Sequence, residues 1–89
     1  MTKEEFAQNL IERFIEPLYQ YKVAGNNFSE RLMLRLEIAN KLAIIHCDAT
    51  IEHLQRLPDI KFTSSISLNL TDAETEIENY TQVKEIIGR

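Results

Sequence analysis

From Asn27 to Leu57 the chain reads NFSERLMLRLEIANKLAIIHCDATIEHLQRL, with apolar residues at helical spacing throughout. At 100° per residue, Leu32, Leu36, Ala39, Ala43, Cys47, Thr50, Leu54 and Leu57 fall on one stripe, which Met33, Ile44 and Ile51 widen. Leu34, Ile38, Leu42, Ile45 and Ala49 form a second stripe on another side. Glu37, Lys41, Asp48, Glu52 and Gln55 make a continuous polar face, and Arg35, His46 and His53 a thin polar seam between the stripes. The pattern predicts one long central helix, apolar on two sides and therefore in need of two sets of neighbours.

Shorter elements flank it. Thr2 with Glu5 three residues on is a capping-box signature, and Phe6, Leu10, Phe14 and Leu18 then recur every four residues, predicting a first helix that Pro17 kinks or ends. Tyr19, Tyr21 and Val23 continue it less regularly, and Gly25-Asn26-Asn27 breaks it. Asn27 with Glu30 is a second capping box, with Ser29 as the alternative cap, and Pro58 closes the central helix. The period then changes to two. Ile60, Phe62, Ser64, Ile66, Leu68 and Leu70 alternate with Lys61, Thr63, Ser65, Ser67 and Asn69, the signature of extended chain. This segment is either a hairpin turning at Thr63-Ser64-Ser65 or a single arm lying along the helices. Thr71 with Glu74 reads as a third capping box, and Ala73, Ile77, Tyr80, Val83, Lys84 and Ile87 predict a final helix that stops at Gly88. The expected fold class is all-α: a three-helix bundle with a long central helix and a short extended or β-hairpin insertion between helices 2 and 3, within one small helical domain spanning residues 1–89.

Composition narrows the function classes. With 89 residues, 44% of them hydrophobic and 27% charged, and only two Gly and two Pro, the chain suits an ordered domain with a modest core. Arg35, Glu37, Asn40, Lys41, Asp48 and Glu52 interrupt the longest apolar candidate well short of the roughly 18 residues that a membrane span needs. A lone Cys47 and an N-terminus without a secretory pattern predict a reducing, cytoplasmic setting. The net charge of −4 is concentrated in residues 72–89, and no segment is net basic, so nucleic-acid binding through phosphates is not expected.

Two segments, ANKLAIIHCDATI at Ala39–Ile51 and YTQVKEII at Tyr80–Ile87, resemble short helical proteins encoded in bacteriophage and prophage genomes of gut bacteria. These carry a central A-K-x-x-A-x-I-x-V-D-E-I and a terminal Y-W-x-x-V-K-x-x-I. The present chain departs from that pattern at Asn40, Cys47, Ala49, Thr50 and Thr81. The resemblance implies a mobile-element origin and a helical fold, and brings no catalytic residues with it.

Chemistry-bearing residues cluster only at His46, Cys47, Asp48, Glu52 and His53. Zinc ligands on one helix stand three or four residues apart, whereas the two histidines are seven apart, about 10 Å along the axis. Cys47 falls on the first apolar stripe, and Asp48 and Glu52 on the solvated face. The expectation is therefore no catalytic, cofactor or metal site. The chain reads as a non-catalytic interaction module that self-associates, with Leu34, Ile38, Leu42, Ile45 and Ala49 as its interface and Ile66 and Leu68 of the insertion as a second contribution. The alternative is an acidic regulator or inhibitor, in nucleic-acid-mimicking fashion, that docks on a host or phage enzyme through Glu74, Glu76 and Glu78.

Overall fold

In the computed structural model, which describes residues Met1–Arg89, the first helix, α1, spans Lys3–Leu18. Thr2 is its N-cap: the residue is extended and its hydroxyl accepts the Glu5 backbone N–H at 3.1 Å. Pro17 lies in the final turn, and the helix ends one residue later. The carbonyls released there are met from the second helix, α2 (Phe28–Gln55). Arg35 donates from Nε to the Leu18 carbonyl at 3.3 Å and from Nη2 to the Tyr21 carbonyl at 3.1 Å, with its guanidinium 5.1 Å from the Tyr19 ring centroid. A cation thus sits at the negative end of the α1 dipole. The connection turns at Gly25, whose φ of +149° suits glycine alone; a Cβ there would stand 2.9 Å from Arg31 Cγ.

Asn27 caps α2, accepting the Glu30 backbone N–H at 2.9 Å, while the Glu30 carboxylate reaches back to the Asn26 N–H at 2.6 Å. The buried positions of α2 are Ala39, Ala43, Cys47 and Leu54, all on the first predicted stripe. Three of the four are small, the side chains that permit close helix packing. α1 runs antiparallel to α2, with Phe14 against the His46 ring and Leu18 near Arg35. The third helix, α3 (Ala73–Ile87), also runs antiparallel to α2: Ala73 and Ile77 lie beside Leu54 and Leu57, and Lys84 pairs with Asp48 at 2.7 Å. All three helices touch one another, and Ala7, Leu10, Ala43, Cys47, Leu54, Tyr80, Val83 and Ile87 form the core, with Phe6 edge-on to Tyr80.

Of the two forms open to residues 60–70, the chain takes the hairpin. Strands β1 (Lys61–Thr63) and β2 (Leu70–Asp72) pair antiparallel with Phe62 opposite Thr71. The turn is longer and later than Thr63-Ser64-Ser65. It runs from Ser64 to Asn69, closed by Ser64 N–H to the Asn69 carbonyl at 2.8 Å, and the buried Ser64 hydroxyl accepts the N–H groups of Ile66 and Ser67. Alternation holds through Phe62, Ser64 and Ile66 and then fails, because Leu68 adopts a left-handed φ of +61° and swings outward. The α3 cap is Asp72 rather than Thr71: the helix begins at Ala73, one residue later than a Thr71 cap would start it, and Asp72 accepts the Thr75 N–H at 2.8 Å. That bond, with the Thr75 hydroxyl, holds the Asp72 carboxyl below its ordinary value.

A two-stranded hairpin is marginal alone; this one is held by Ile66, which enters the core, and by Glu76 of α3. The Glu76 side chain is buried, and its Oε1 accepts the Ser65 N–H at 3.3 Å. Glu76→Gln keeps an oxygen acceptor for that donor, whereas Glu76→Ala removes it. The Ala variant is expected to exchange its Ser65 amide hydrogen about fivefold faster, the equivalent of a hydrogen bond worth about 1 kcal/mol. Unchanged exchange in that variant would show that Glu76 does not protect the Ser65 amide. The helix seam makes a separate prediction: Ala43→Leu adds methylenes where no space exists and should destabilise by about 1–3 kcal/mol in urea unfolding.

Candidate interaction surface

α1 and α3 approach α2 from two directions and leave a third open. α1 sits on the side of Arg35 and His46, α3 on the side of Cys47, Asp48 and Ile51. The remaining side carries Leu34, Ile38, Leu42, Ile45 and Ala49 within an arc of about 80°. Leu34 is half-buried; Ile38, Leu42 and Ile45 are 38%, 36% and 61% exposed, and Ala49 is exposed. Three branched aliphatic side chains therefore stand side by side on a regular helix, each with a third or more of its surface open to solvent. A rigid element carries them, so the surface exists before any partner arrives.

The two insertion residues part company. Ile66 is 3% exposed and belongs to the chain's own core, so it is withdrawn from the interface; the Ser64 turn redirects the chain and drives this side chain inward. Leu68 is 73% exposed, as is Leu70, but both lie on the hairpin, whose tip packs over α1 and α3 on the far side of the core from the α2 stripe.

The acidic face is also broken. Glu74 and Glu78 are exposed, but Glu76 is 1% exposed, turned inward to the Ser65 N–H, and cannot dock on anything. One turn of helix separates Glu74 from Glu78, and the inward residue falls between them because helical spacing puts it on the opposite side.

The five-residue cluster on α2 disperses into structural contacts. His46 lies against Phe14, the two rings tilted with centroids 5.9 Å apart, Asp48 pairs with Lys84, and Glu52 pairs with Arg56 at 2.7 Å. His53 is exposed, and no three or more His, Cys, Asp or Glu side chains gather as metal ligands would. Cys47 is wholly buried. Removal from water pushes its thiol up to about 11; the nearby Asp48 carboxylate adds to the shift, and Lys84 opposes it.

Part of the apolar surface escapes the periodicity. Met33 and Leu36 belong by spacing to the stripe beneath helices 1 and 3, yet they are 64% and 39% exposed, because α3 ends at Ile87, about one turn past the Lys84–Asp48 pair, and never reaches the first turns of α2. Tyr19, Tyr21 and Phe28 are exposed around the same end. The available signal is the length of the final helical pattern, which is about half that of the central one.

The thiol provides a pH-dependent prediction. A cysteine whose folded value is raised stays protonated in the native state after the unfolded chain has begun to lose its proton, so its contribution to stability is complete below the unfolded value and fades as pH rises from about 9 to 11. Wild type should lose roughly 2 kcal/mol relative to Cys47→Ala between pH 7.5 and 10.5, measured by urea unfolding. In native protein the thiol should also resist an aromatic disulfide reagent that titrates it at once in urea; equal rates in both states would refute the burial argument. No family model matches the chain, and no curated protein or solved structure matches it.

Proposed function

We propose that this chain is a non-catalytic interaction module that self-associates as a homodimer through Leu34, Ile38, Leu42, Ile45 and Ala49, its three helices forming a bundle around the Ala39–Cys47 seam. The observation that carries the reading is the open side of α2: a stripe of large aliphatic side chains on a rigid helix, flanked by charge and uncovered by either neighbouring helix. Its working place is a reducing cytoplasm, in keeping with a lone buried cysteine. No helix is long and apolar enough to cross a membrane. The resemblance of Ala39–Ile51 and Tyr80–Ile87 to phage-encoded helical proteins supports an origin in a mobile element. The acidic-regulator alternative is weaker, since Glu76 is turned into the fold and leaves only Glu74 and Glu78 of its docking face.

The affinity follows from the size of the stripe. Completing the burial of each large side chain contributes on the order of 1 kcal/mol, and two copies supply about six such side chains. Association itself costs several kcal/mol, comparable with the roughly 6 kcal/mol these side chains supply together, so the dimer is weak and its population depends strongly on protein concentration. Light scattering or sedimentation across a dilution series should then show the 10.4 kDa chain doubling its mass as concentration rises. Ile38→Asp, an exposed position, should hold the protein monomeric with its circular dichroism and unfolding midpoint preserved. A mass that stays monomeric at every concentration, or an Ile38→Asp variant that still doubles, would falsify the reading.

A further inference from the structure

We infer that the occupant of the α2 stripe is a second copy of this chain laid antiparallel, with the two-fold axis passing between Lys41 and Leu42, and that an Arg31–Glu52 pair closes each end of the contact. This deepens the self-association proposed above and rests on it. The sequence of the stripe is symmetric about its own midpoint. Leu34 and Ala49 are equidistant from it, as are Ile38 and Ile45, and Leu42 lies beside it. Continuing outward by the same rule, the next pair on this side of the helix is Arg31 and Glu52.

In an antiparallel pair each residue faces its counterpart across the midpoint. Ile38 of one copy then meets Ile45 of the other, the smaller Ala49 receives Leu34, and Leu42 packs beside its symmetry mate. The contact runs about 22 Å along the axis at 1.5 Å per residue. At both ends a guanidinium faces a carboxylate. Turned parallel in register, the same helices would set Arg31 against Arg31 and Glu52 against Glu52, like charge on like charge, with the helix dipoles aligned.

The charged residues are free for this use. Arg31 makes no ion pair within its own chain; it is half-buried beside the Tyr19–Val23 connection, so reaching a partner requires its guanidinium to turn along the α2 face. Glu52 pairs with Arg56, but both side chains are more than half exposed, and a surface pair between successive turns holds its partners weakly. Nor does the fold obstruct the approach. α1 and α3 lie on the other sides of α2, the hairpin lies beyond them, and Ile38, Leu42, Ile45, Ala49 and Glu52 are all exposed.

The test reads orientation directly. Ile38→Cys and Ile45→Cys are made in separate chains, one of them isotope-labelled so that mass spectrometry distinguishes mixed from like pairs. They are combined above the association concentration and oxidised; native Cys47 is buried, and wild type treated in parallel serves as the blank. The expected product is the mixed disulfide, joining the thiol introduced by Ile38→Cys in one copy to that introduced by Ile45→Cys in the other, with each variant alone forming little. Like disulfides from each variant alone, in a protein that light scattering shows to be dimeric, would overturn the antiparallel register while leaving self-association standing. A protein that scatters as a monomer throughout would overturn both. Charge exchange adds a reading that needs no oxidation. Arg31→Glu or Glu52→Arg alone should weaken the dimer by about tenfold or more, and the two together should restore it to near wild type. Failure of the double variant to recover would remove the end pairs from the contact, because only the antiparallel arrangement lets exchanged charges meet as opposites.

Discussion

The arrangement depends on a mismatch of length. α2 has 28 residues, about 42 Å of helix at 1.5 Å per residue, and its neighbours have 16 and 15. Neither can cover it alone, and because α3 folds back from the C-terminal end of α2, it serves only the half that contains Cys47 and Leu54. There all three helices meet and burial is complete. Toward the N-terminus only α1 and its following loop remain alongside, and the corner is held by a single arginine rather than by a third apolar surface. Arg35 meets the Leu18 and Tyr21 carbonyls and covers the Tyr19 ring, doing with a long side chain what packing does elsewhere. The molecule is accordingly elongated, 51 Å in its longest dimension and about half that in the others.

A small core leaves little to anchor a loop, which explains why the hairpin is so thoroughly tied. Ser64 folds the backbone over its own hydroxyl, Ile66 fills the space between the ends of α1 and α3, and Glu76 reaches from α3 to the Ser65 N–H. Three different interactions thus act on consecutive residues of one turn. The burial of a carboxylate there is costly in isolation, and one of its oxygens, Oε2, has no partner. It is retained where it fixes the position of a segment that would otherwise have only three-residue strands to hold it.

Period and caps carry most of the architecture. The spacing of Phe6, Leu10 and Phe14, the Thr2 and Asn27 caps and the stop at Pro58 are local interactions, decided within a few residues, and the helices they predict are where the chain forms them. What local pattern cannot carry is competition between neighbours in space. Thr71 offers a cap signature as good as that of Asp72, but the chain leaves the β-ladder only after Asp72, so the helix starts one residue later and Asp72 caps it. Ile66 and Leu68 occupy equivalent places in an alternating run, and only the left-handed turn at Leu68 separates one from the other. Glu76 is indistinguishable from Glu74 and Glu78 until Ser65 arrives from eleven residues earlier to meet it. The apolar stripe on α2 is legible as a periodicity because one helix defines it; which of its residues stay open depends on where the other helices lie. Leu36 and Met33 fit the covered stripe by period and lie outside it in space, because coverage by α3 is a question of where another element ends.

The two apolar surfaces left on the outside differ in what they can build. The hairpin offers Leu68 and Leu70 beside strands of three residues, an edge too short to recruit further strands strongly. The α2 stripe, in the pairing proposed above, meets itself. An isologous contact uses the same patch on both copies and is complete at two, so the most exposed aliphatic side chains of the stripe, Ile45 above all, are withdrawn from water without creating a new open surface. The end charges reinforce that closure, because a chain shifted by one helical turn along its partner would separate Arg31 from Glu52 and leave Leu34 or Ala49 without its counterpart. In that pairing the side of α2 that neither α1 nor α3 approaches is covered by its own symmetry mate, and no further copy is recruited.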